Sequence, residues 1–589
     1  MSPEQILHRA LARQAAGDLS GAIADYRALL VLLPQEPSAA ANSAAAWLAL
    51  GRPDRALTQA RIAARLAPGL AATQLILAES AQGAGDEAAA RQSFRRAWLL
   101  QPDAPETNNN LANFLSAAGE EERAIAFYRR TLLLAPRRAE AYANLAACLL
   151  AAHCPADSEG AARAALALAP ERAEAWNNLG NVLFELRAYE AALSAFRRAR
   201  RIVPSFTDAC INEGGLRLDL GQAEEGAALS RLALVLAPDL PGPYNNLGNA
   251  ALLAGRLAEA DAVFRRALLI APHDAQLHFN RAAALLKQGK MQEGWAEYEW
   301  RRRTASALRR RRPDDPPDWP GGDPAGRTLL LSGEQGYGDV LQFCRFAPWL
   351  AARGARVVLR VERPLIRLMR SLPGVERVIA PDEVPPSCDV HLPLMSVPGA
   401  FGLSLAEIPA QLPYLAAKPA AVKGWKRRLD SVPGIKIGLV WSGDPRPGQR
   451  AAHLLDRRRS LSLAQLGVLS KVEGMTLISL QKGAPAAQLA EAQGLAVIDW
   501  TQELDDFADT AALVSALDLV ISVDTAVAHL AGALGRPVWI LSRFDGCWRW
   551  LEERQDSPWY PTARLFRQKR PGDWTAPLDA LRQALKSLR

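Results

Sequence analysis

Proline recurs every 34 residues through the first half of this 589-residue chain. The series runs without a gap through Pro34, Pro68, Pro102, Pro136, Pro170, Pro204, Pro238 and Pro272. Self-similarity at such a period indicates a solenoid, in which each unit buries its apolar face only by stacking on its neighbours. The first half is therefore expected to form a repeat array rather than a single globular core.

Other residue types keep the same phase as the prolines. Glycine recurs where a turn between two helices needs a permissive backbone, at Gly17, Gly51, Gly85, Gly119, Gly221, Gly255 and Gly289. These phases, with the small and aromatic residues that follow them, resemble the tetratricopeptide repeat, a helical hairpin. We expect about nine units, which form a superhelix over residues 1–303. His153 and Arg187 replace the turn glycine in two units. Two explanations are left open there, a local change in the curvature of the superhelix and a bound partner.

Asparagine occupies a further phase, on the first helix of each hairpin. It stands at Asn42, Asn110, Asn144, Asn178, Asn212, Asn246 and Asn280, and only Ile76 interrupts the column. Asparagine is a middling helix former, so helix propensity does not explain the column. A carboxamide both donates and accepts hydrogen bonds, which suits a peptide backbone of any sequence.

The repeats of the O-linked N-acetylglucosamine transferases carry a similar asparagine ladder, which grips extended polypeptide. This resemblance implies that the column binds a protein acceptor. The predicted acceptor-binding residues are Asn110, Asn144, Asn178, Asn212, Asn246 and Asn280. The alternative is that these asparagines cap or cross-link neighbouring hairpins.

Charge and composition narrow the class of protein. The net charge of +8 and the pI near 9.3 favour anionic partners. The six cysteines include no C-x-x-C pair, which predicts reduced thiols rather than a disulfide or zinc framework. The amphipathic start has no apolar secretory core, and no run reaches the ~18 apolar residues that a membrane span needs. We expect a soluble cytoplasmic protein.

A segment rich in proline, glycine and aspartate follows the repeats and predicts a linker over residues 304–326. Two arginine runs, Arg301–Arg303 and Arg309–Arg312, border or enter it. No aromatic residues for base stacking interleave these arginines, so we expect no nucleic-acid partner. We expect the arginines to end the last helix and to stay solvated.

From residue 327 the pattern changes to short apolar runs that alternate with helical segments. The runs predict buried parallel strands at 328–332, 355–361, 375–380, 389–394, 436–441, 475–480, 495–500, 518–523 and 537–542. They divide into two doubly wound α/β halves, 327–434 and 435–589, a layout that resembles the GT-B glycosyltransferases. Ligands of such sheets bind at the carboxyl ends of the strands. We expect the acceptor on the first half and a nucleotide-sugar on the second.

The first strand runs into a glycine-rich loop, GEQGYGD (333–339), that precedes a helix. Such a loop presents backbone amides to an anion, which makes Gly336 and Gly338 candidate donor-binding residues. The GDVLQ segment resembles the corresponding loop of the heptosyltransferases, family 9 of the GT-B enzymes. That resemblance implies that Asp339 is the general base toward an acceptor hydroxyl, with Glu334 as the alternative base. Helix N-capping is the other reading of Asp339, and both roles are compatible.

A second motif, SVDTAVAHLAGALGRP, lies where a later strand passes into a helix. Asp524 and Thr525 would cap this helix, whose N-terminal amides suit a phosphate, and His529 lies one turn further on. The heptosyltransferases carry a similar Asp-Thr-Gly-x-x-x-His run, which binds the nucleotide-sugar phosphates. Ala526 stands here in place of that glycine. A purely structural histidine is the alternative for His529.

Two other strand ends complete the predicted donor site. They contribute Trp441, Ser442, Gly443, Gln481 and Lys482. Arg459 would neutralise the leaving nucleotide, a role that a divalent metal has in other transferases. No Asp-x-Asp pair stands in a comparable loop, so we expect a reaction without a metal and without a cofactor.

The whole chain resembles bacterial proteins that join tetratricopeptide repeats to such a domain, among them alphaproteobacterial flagellin glycosyltransferases. The resemblance implies a protein O-glycosyltransferase whose repeats dock flagellin and whose α/β part transfers a nonulosonic sugar, such as pseudaminic acid, to serine or threonine. Tethering the acceptor beside the catalyst raises its effective concentration into the mM range. The alternative is a scaffold or chaperone for a secreted protein with a degenerate α/β part, which Ala526 favours.

Overall fold

The computed structural model describes residues 1–304, 312, 314–446, 449–491 and 494–588, in two compact units, Met1–Asn212 and Glu213–Arg589. Paired α-helices occupy the chain up to residue 298, as the repeat period predicts. They are α1 Pro3–Ala15, α2 Leu19–Leu32, α3 Pro37–Ala49, α4 Pro53–Leu66, α5 Ala71–Gly83, α6 Glu87–Leu100, α7 Pro105–Ala117, α8 Glu121–Leu134, α9 Ala139–Ala151, α10 Pro155–Leu168, α11 Ala173–Glu185, α12 Tyr189–Ile202, α13 Thr207–Asp219, α14 Ala223–Leu236, α15 Pro241–Leu253, α16 Leu257–Ile270, α17 Ala275–Lys287 and α18 Met291–Tyr298. The predicted helical repeat array is confirmed.

The turns inside the hairpins place one residue in the left-handed backbone conformation. The glycines of the repeat phase have φ between 67° at Gly51 and 84° at Gly221. His153 and Arg187 take the same conformation, at φ 59° and 62°. A β-carbon makes this conformation unfavourable by roughly 1–2 kcal/mol. The turn itself is therefore kept in both irregular units.

Aromatic rings set the spacing of several hairpins. A β-carbon added to Gly180 would lie 2.5 Å from Phe196 Cε1, and one added to Gly248 would lie 2.4 Å from Phe264 Cε1. Both rings are completely buried. A residue without a side chain opposite the ring thus lets the two helices approach closely.

Within the described residues, ten strands form two parallel sheets. The strands are β1 Thr328–Ser332, β2 Arg356–Arg360, β3 Val375–Ile379, β4 Val390–Pro393, β5 Ile435–Val440, β6 Met475–Ser479, β7 Val497–Asp499, β8 Leu519–Val523, β9 Val538–Ser542 and β10 Ala563–Arg567. The first sheet has the order β3-β2-β1-β4 and the second the order β10-β9-β8-β5-β6-β7. All nine predicted strands are present. Sequence reasoning missed β10, where arginines interrupt the apolar run.

Helices connect these strands. They are α19 Tyr337–Phe343, α20 Phe346–Ala351, α21 Arg363–Met369, α22 Val397–Ala400, α23 Pro419–Asp430, α24 Arg450–Arg459, α25 Phe507–Ala516, α26 Ala526–Ala533 and α27 Thr575–Lys586. The predicted α/β class is therefore confirmed, while the GT-B arrangement stays a prediction. In the part of the chain that the structure describes, no helix combines the length and apolar character needed to cross a membrane.

In both sheets the strand order reverses beside the first strand. β1 lies between β2 and β4, and β5 lies between β6 and β8. Such a reversal leaves a crevice at the carboxyl ends of the strands, where ligands of doubly wound sheets bind. The first crevice lies beyond Ser332 and Pro393, and the second beyond Val440 and Val523.

Part of the predicted linker pairs with the first sheet. The Trp319 amide donates to His391 O at 2.9 Å, and the His391 amide donates to Pro317 O at 2.8 Å. Residues 317–319 therefore run parallel to β4 at the edge of the sheet. Within the predicted run Arg309–Arg312, residues 309–311 lie outside the described residues.

The end of the repeats packs on the first sheet. Trp295 Nε1 donates to Leu403 O at 3.1 Å. The expectation that the arginines after α18 stay solvated is wrong for Arg301, which is 5% exposed and ion-paired with Glu299 and Glu334. A buried guanidinium needs such carboxylates, because leaving it unpaired away from water is very unfavourable.

Candidate functional site

A cleft of about 1230 Å³ opens at the crevice of the first sheet. One wall is the end of the repeats, with Trp300, Arg302 and Arg303. The opposite wall comprises the carboxyl ends of β1, β2 and β4 and the glycine-rich loop 333–337. A concave site with converging polar groups at this position is the usual ligand site of a doubly wound sheet.

Ser332 and His391 meet in this cleft, because β1 and β4 are neighbours. Ser332 Oγ lies 2.7 Å from His391 Nε2, and His391 Nδ1 lies 3.5 Å from Asp318 Oδ1. Burial lowers the pKa of His391 below its ordinary value. Sequence reasoning missed this cluster, since its members come from three separate segments and form no motif.

Asp339 lies in the first turn of α19 with both carboxylate oxygens engaged. Oδ2 accepts from the Gly336 amide at 2.8 Å, which is the helix-capping role left open by the sequence. Oδ1 accepts from Nη2 of Arg549, a second-half residue whose side chain is 8% exposed and which also donates to Gln342. The base role of Asp339 stays a prediction, and it requires one oxygen to exchange its partner for an acceptor hydroxyl.

Glu334, the alternative base, is also paired. Arg301 Nε donates to Glu334 Oε2 at 3.2 Å, and Nη2 donates to Oε1. Arg301 Nη2 donates in addition to Ser396 Oγ at 2.7 Å. Two parallel hydrogen bonds from one guanidinium give a strong and directional pair. This pair attaches the glycine-rich loop to the end of the repeats.

The second predicted motif touches this loop. A β-carbon added to Gly338 would lie 2.9 Å from His529 Cδ2 and 3.5 Å from Ala526 Cα. Gly338 therefore serves a close contact between α19 and α26. The extra methyl group of Ala526 does not prevent this contact between the two α/β halves.

His529 is buried between aromatic residues. Its Nδ1 lies 3.0 Å from Tyr560 Oη, and its ring stacks on Trp550. Burial lowers the pKa of His529 to about 4, so the ring is neutral near pH 7. This geometry favours the structural alternative, and the phosphate-binding role stays a prediction.

The strand ends of the second sheet are held together by hydrogen bonds. Gln481 Oε1 accepts from the amides of Trp441 at 3.1 Å and Ser442 at 2.9 Å. Lys482 Nζ donates to Leu504 O. The structure thus brings Trp441, Ser442 and Gln481 to one edge, and it directs Lys482 toward a neighbouring loop.

Arg459 joins the same edge from α24. Its Nη1 donates to Asp524 O at 3.1 Å, and its Nε donates to Asp456 Oδ1 at 2.9 Å. A β-carbon added to Gly443 would lie 2.2 Å from Arg459 Nη2. Thr525 Oγ1 lies 2.9 Å from Ser522 Oγ at the adjacent strand end. Their donor-binding roles stay predictions.

The asparagine column cross-links neighbouring hairpins. Four of these asparagines donate a hydrogen bond of 3.0 Å from Nδ2 to the preceding hairpin. The pairs are Asn110 with Glu79 Oε1, Asn144 with Asn113 Oδ1, Asn178 with Ala143 O and Asn212 with Asn177 Oδ1. Asn280 donates likewise to Asn245 Oδ1 at 2.8 Å, and Asn246 is buried. The cross-linking alternative is thus present. Acceptor binding stays a prediction that relies on the remaining carboxamide atoms.

Comparisons with known families match this architecture. Residues 173–206 and 242–274 match the tetratricopeptide repeat. Residues 504–541, which include the second motif, match glycosyltransferase family 9 (heptosyltransferase). The chain therefore joins tetratricopeptide repeats to an α/β part in which one segment matches glycosyltransferase family 9.

One curated relative is Protein FlbA of Caulobacter vibrioides, 31% identical over 319 residues. The alignment covers 50% of this chain and 52% of that protein, so the chain spans about half the length of this relative.

Similar solved structures include the APC/C hetero-tetramer Cut9-Hcn1, at 16% identity and TM-score 0.39, with 45% of this chain and 52% of that chain covered. A thermophilic TPR protein of Thermus thermophilus has 27% identity and a TM-score of 0.29, and the match covers 31% of this chain and 100% of that chain. PilF of Pseudomonas aeruginosa has 19% identity and a TM-score of 0.30, and the match covers 34% of this chain and 92% of that chain.

Proposed function

We propose that this protein is a glycosyltransferase that modifies a protein held by its repeats. The observation that carries the proposal is the cleft in which the end of the repeats faces the glycine-rich loop and the strand ends of the first sheet. The end of the repeats forms one wall of this cleft, so a polypeptide bound at the last repeat would lie beside it. The family 9 match at residues 504–541 supports glycosyl transfer as the reaction class.

The proposed donor is a nucleotide-sugar in the crevice of the second sheet. The reversal of strand order between β5 and β8 supports this choice, because a crevice of this type binds nucleotides in other doubly wound folds. The amides at the start of α26 and the guanidinium of Arg459 suit the negative charge of the leaving phosphate. With this charge compensation the proposed reaction needs no metal.

The proposed acceptor is a serine or threonine of flagellin, and the proposed sugar is a nonulosonic acid such as pseudaminic acid. The support is the sequence resemblance to alphaproteobacterial flagellin glycosyltransferases. An extended acceptor would contact the carboxamide atoms of the asparagine column that the cross-links leave available. Binding in the same chain would keep the acceptor at an effective concentration in the mM range.

A scaffold or chaperone without catalysis is the second candidate. It is favoured by the engagement of Asp339 with Arg549 and of His529 with Tyr560, which uses motif side chains for packing. In this alternative, flagellin still binds to the repeats, but no sugar is transferred.

Intact-mass analysis of flagellin from cells with and without this protein separates the two candidates. A glycosyltransferase adds sugar-sized mass increments that disappear in its absence. Unchanged flagellin mass, together with loss of secreted flagellin, would support the scaffold instead. Calorimetric titration of the full chain with CMP-pseudaminic acid and with UDP-N-acetylglucosamine adds a second readout, in which binding of one of them is expected.

A further inference from the structure

The His391 cluster lies at the point where the first sheet reverses its strand order. β1 and β4 pair in parallel, with Leu330 opposite His391 and Ser332 opposite Pro393. His391 is 7% exposed, yet it lines the cleft together with Ser332 and Asp318.

The neighbours of His391 determine which nitrogen can accept a proton. Nδ1 faces the Asp318 carboxylate at 3.5 Å, and Nε2 lies 2.7 Å from the Ser332 hydroxyl. A carboxylate beside Nδ1 favours the tautomer that carries the proton on Nδ1. We assign this tautomer from the contacts. The lone pair of Nε2 then points to Ser332.

Asp318 is held in place from two directions. Its backbone lies in the 317–319 segment, where Pro317 O and the Trp319 amide, on either side of Asp318, both bond to the backbone of His391. Its Oδ2 accepts from Arg302 Nη2 at 2.6 Å. Since Arg302 follows the last repeat helix, the end of the repeats helps to position the carboxylate that orients His391.

The charges around His391 keep the ring neutral. Burial lowers its pKa, the carboxylates of Asp315 and Asp318 oppose this shift, and the Arg360 guanidinium adds to it. Asp315 and Arg360 form an ion pair at 2.6 Å, so they largely balance each other. A neutral imidazole in a cleft is able to take a proton near pH 7.

We propose that His391 is the general base for the acceptor, an inference that rests on the proposed glycosyl transfer. The acceptor hydroxyl replaces the Ser332 hydroxyl as the donor to Nε2. As the acceptor oxygen bonds to the anomeric carbon, its proton passes to Nε2. The bond between the anomeric carbon and the phosphate oxygen breaks, and the nucleotide leaves with the electron pair. Asp318 acts as a positioning residue.

The test uses the purified full chain with flagellin and CMP-pseudaminic acid. His391→Asn is expected to lower kcat by about 10²- to 10⁴-fold, because a positioned base contributes about that factor. The KM for flagellin should change less than about twofold, since Nε2 acts on a proton and not on the polypeptide. His153→Asn is the control, because asparagine tolerates the left-handed turn conformation that His153 adopts.

The pH dependence of kcat/KM is a second measurement, and a purely structural role of His391 would not change it. In the wild type, kcat/KM should fall when the pH drops below the ordinary pKa of histidine, because burial lowers the pKa of His391 and a protonated Nε2 cannot act as a base. His391→Asn should lack this acid limb. An unchanged acid limb or a wild-type kcat in His391→Asn would overturn the assignment.

Two further variants keep the test independent of the folding of His391→Asn. Asp318→Asn should lower kcat by up to about 10⁴-fold with little change in KM, because the ring loses its orienting carboxylate. Ser332→Ala should keep kcat within about tenfold, and a complete loss would indicate a serine nucleophile instead. Absence of transfer by the wild type overturns both proposals, whereas transfer by wild type and His391→Asn alike overturns only the base.

Discussion

Two polar clusters border the glycine-rich loop, and they are built in opposite ways. In the first, Asp339 accepts hydrogen bonds on both oxygens, from Gly336 and from the buried Arg549 of the other α/β half. In the second, His391 is neutral and directs Nε2 toward Ser332 in an open cleft. The first cluster joins two parts of the fold, while in the second the partner of Nε2 is a neutral hydroxyl that an acceptor hydroxyl would replace.

Asp339, a motif residue, thus serves to join the two α/β halves, whereas His391, which belongs to no motif, has the geometry of a base. A buried ion pair is difficult to open, because each separated charge would lose its partner away from water. A neutral imidazole exchanges one hydroxyl for another without separating charge. We therefore expect the Asp339–Arg549 pair to govern stability and the His391 cluster to govern turnover.

The largest effect on stability is expected from Arg549→Met. Removing the guanidinium leaves the Asp339 carboxylate without its cation, and breaking a buried pair in this way costs about 3–5 kcal/mol. Chemical denaturation of the full chain measures the change in the free energy of unfolding. The matched control is Arg582→Met, whose more exposed pair with Asp579 should contribute less than about 1 kcal/mol. Equal losses in both variants would contradict a special role for the Asp339–Arg549 pair.

A smaller effect is expected from the asparagine column, whose polar atoms are also used inside the fold. Asn178→Ala removes the hydrogen bond to Ala143 O and should lower the free energy of unfolding by about 1 kcal/mol. Asn42→Ala is the matched control, since among the described residues Asn42 has no side-chain hydrogen bond. Flagellin affinity, measured by calorimetry, should fall for Asn178→Ala if the column also binds the acceptor. An unchanged affinity for flagellin would mean that the asparagine column has a purely structural role.

The sequence was sufficient to predict the features that repeat. The 34-residue period defines the hairpins, and nine apolar runs define nine strands, because local patterns alone determine these elements. The predicted donor residues at the ends of β5 and β8 also share one edge, since strand order places carboxyl ends together.

The sequence alone did not predict either of the two clusters. Ser332 and His391 lie 59 positions apart, and Asp339 and Arg549 lie 210 positions apart. Only the strand order and the packing of the two halves bring such residues together. Asp318 belongs to a segment predicted as a linker, whose composition gives no sign that it pairs with β4.

Single-turnover transfer of pseudaminic acid to flagellin by Asp339→Asn and by His391→Asn distinguishes the two candidate bases. Asparagine can still accept from the Gly336 amide, but it leaves the buried Arg549 without its carboxylate, so Asp339→Asn should lower the free energy of unfolding while the folded protein keeps its transfer rate within about tenfold of the wild type. His391→Asn should lose about 10²- to 10⁴-fold. The opposite pattern, with Asp339→Asn inactive and His391→Asn active, would exclude His391 as the base and assign that role to Asp339.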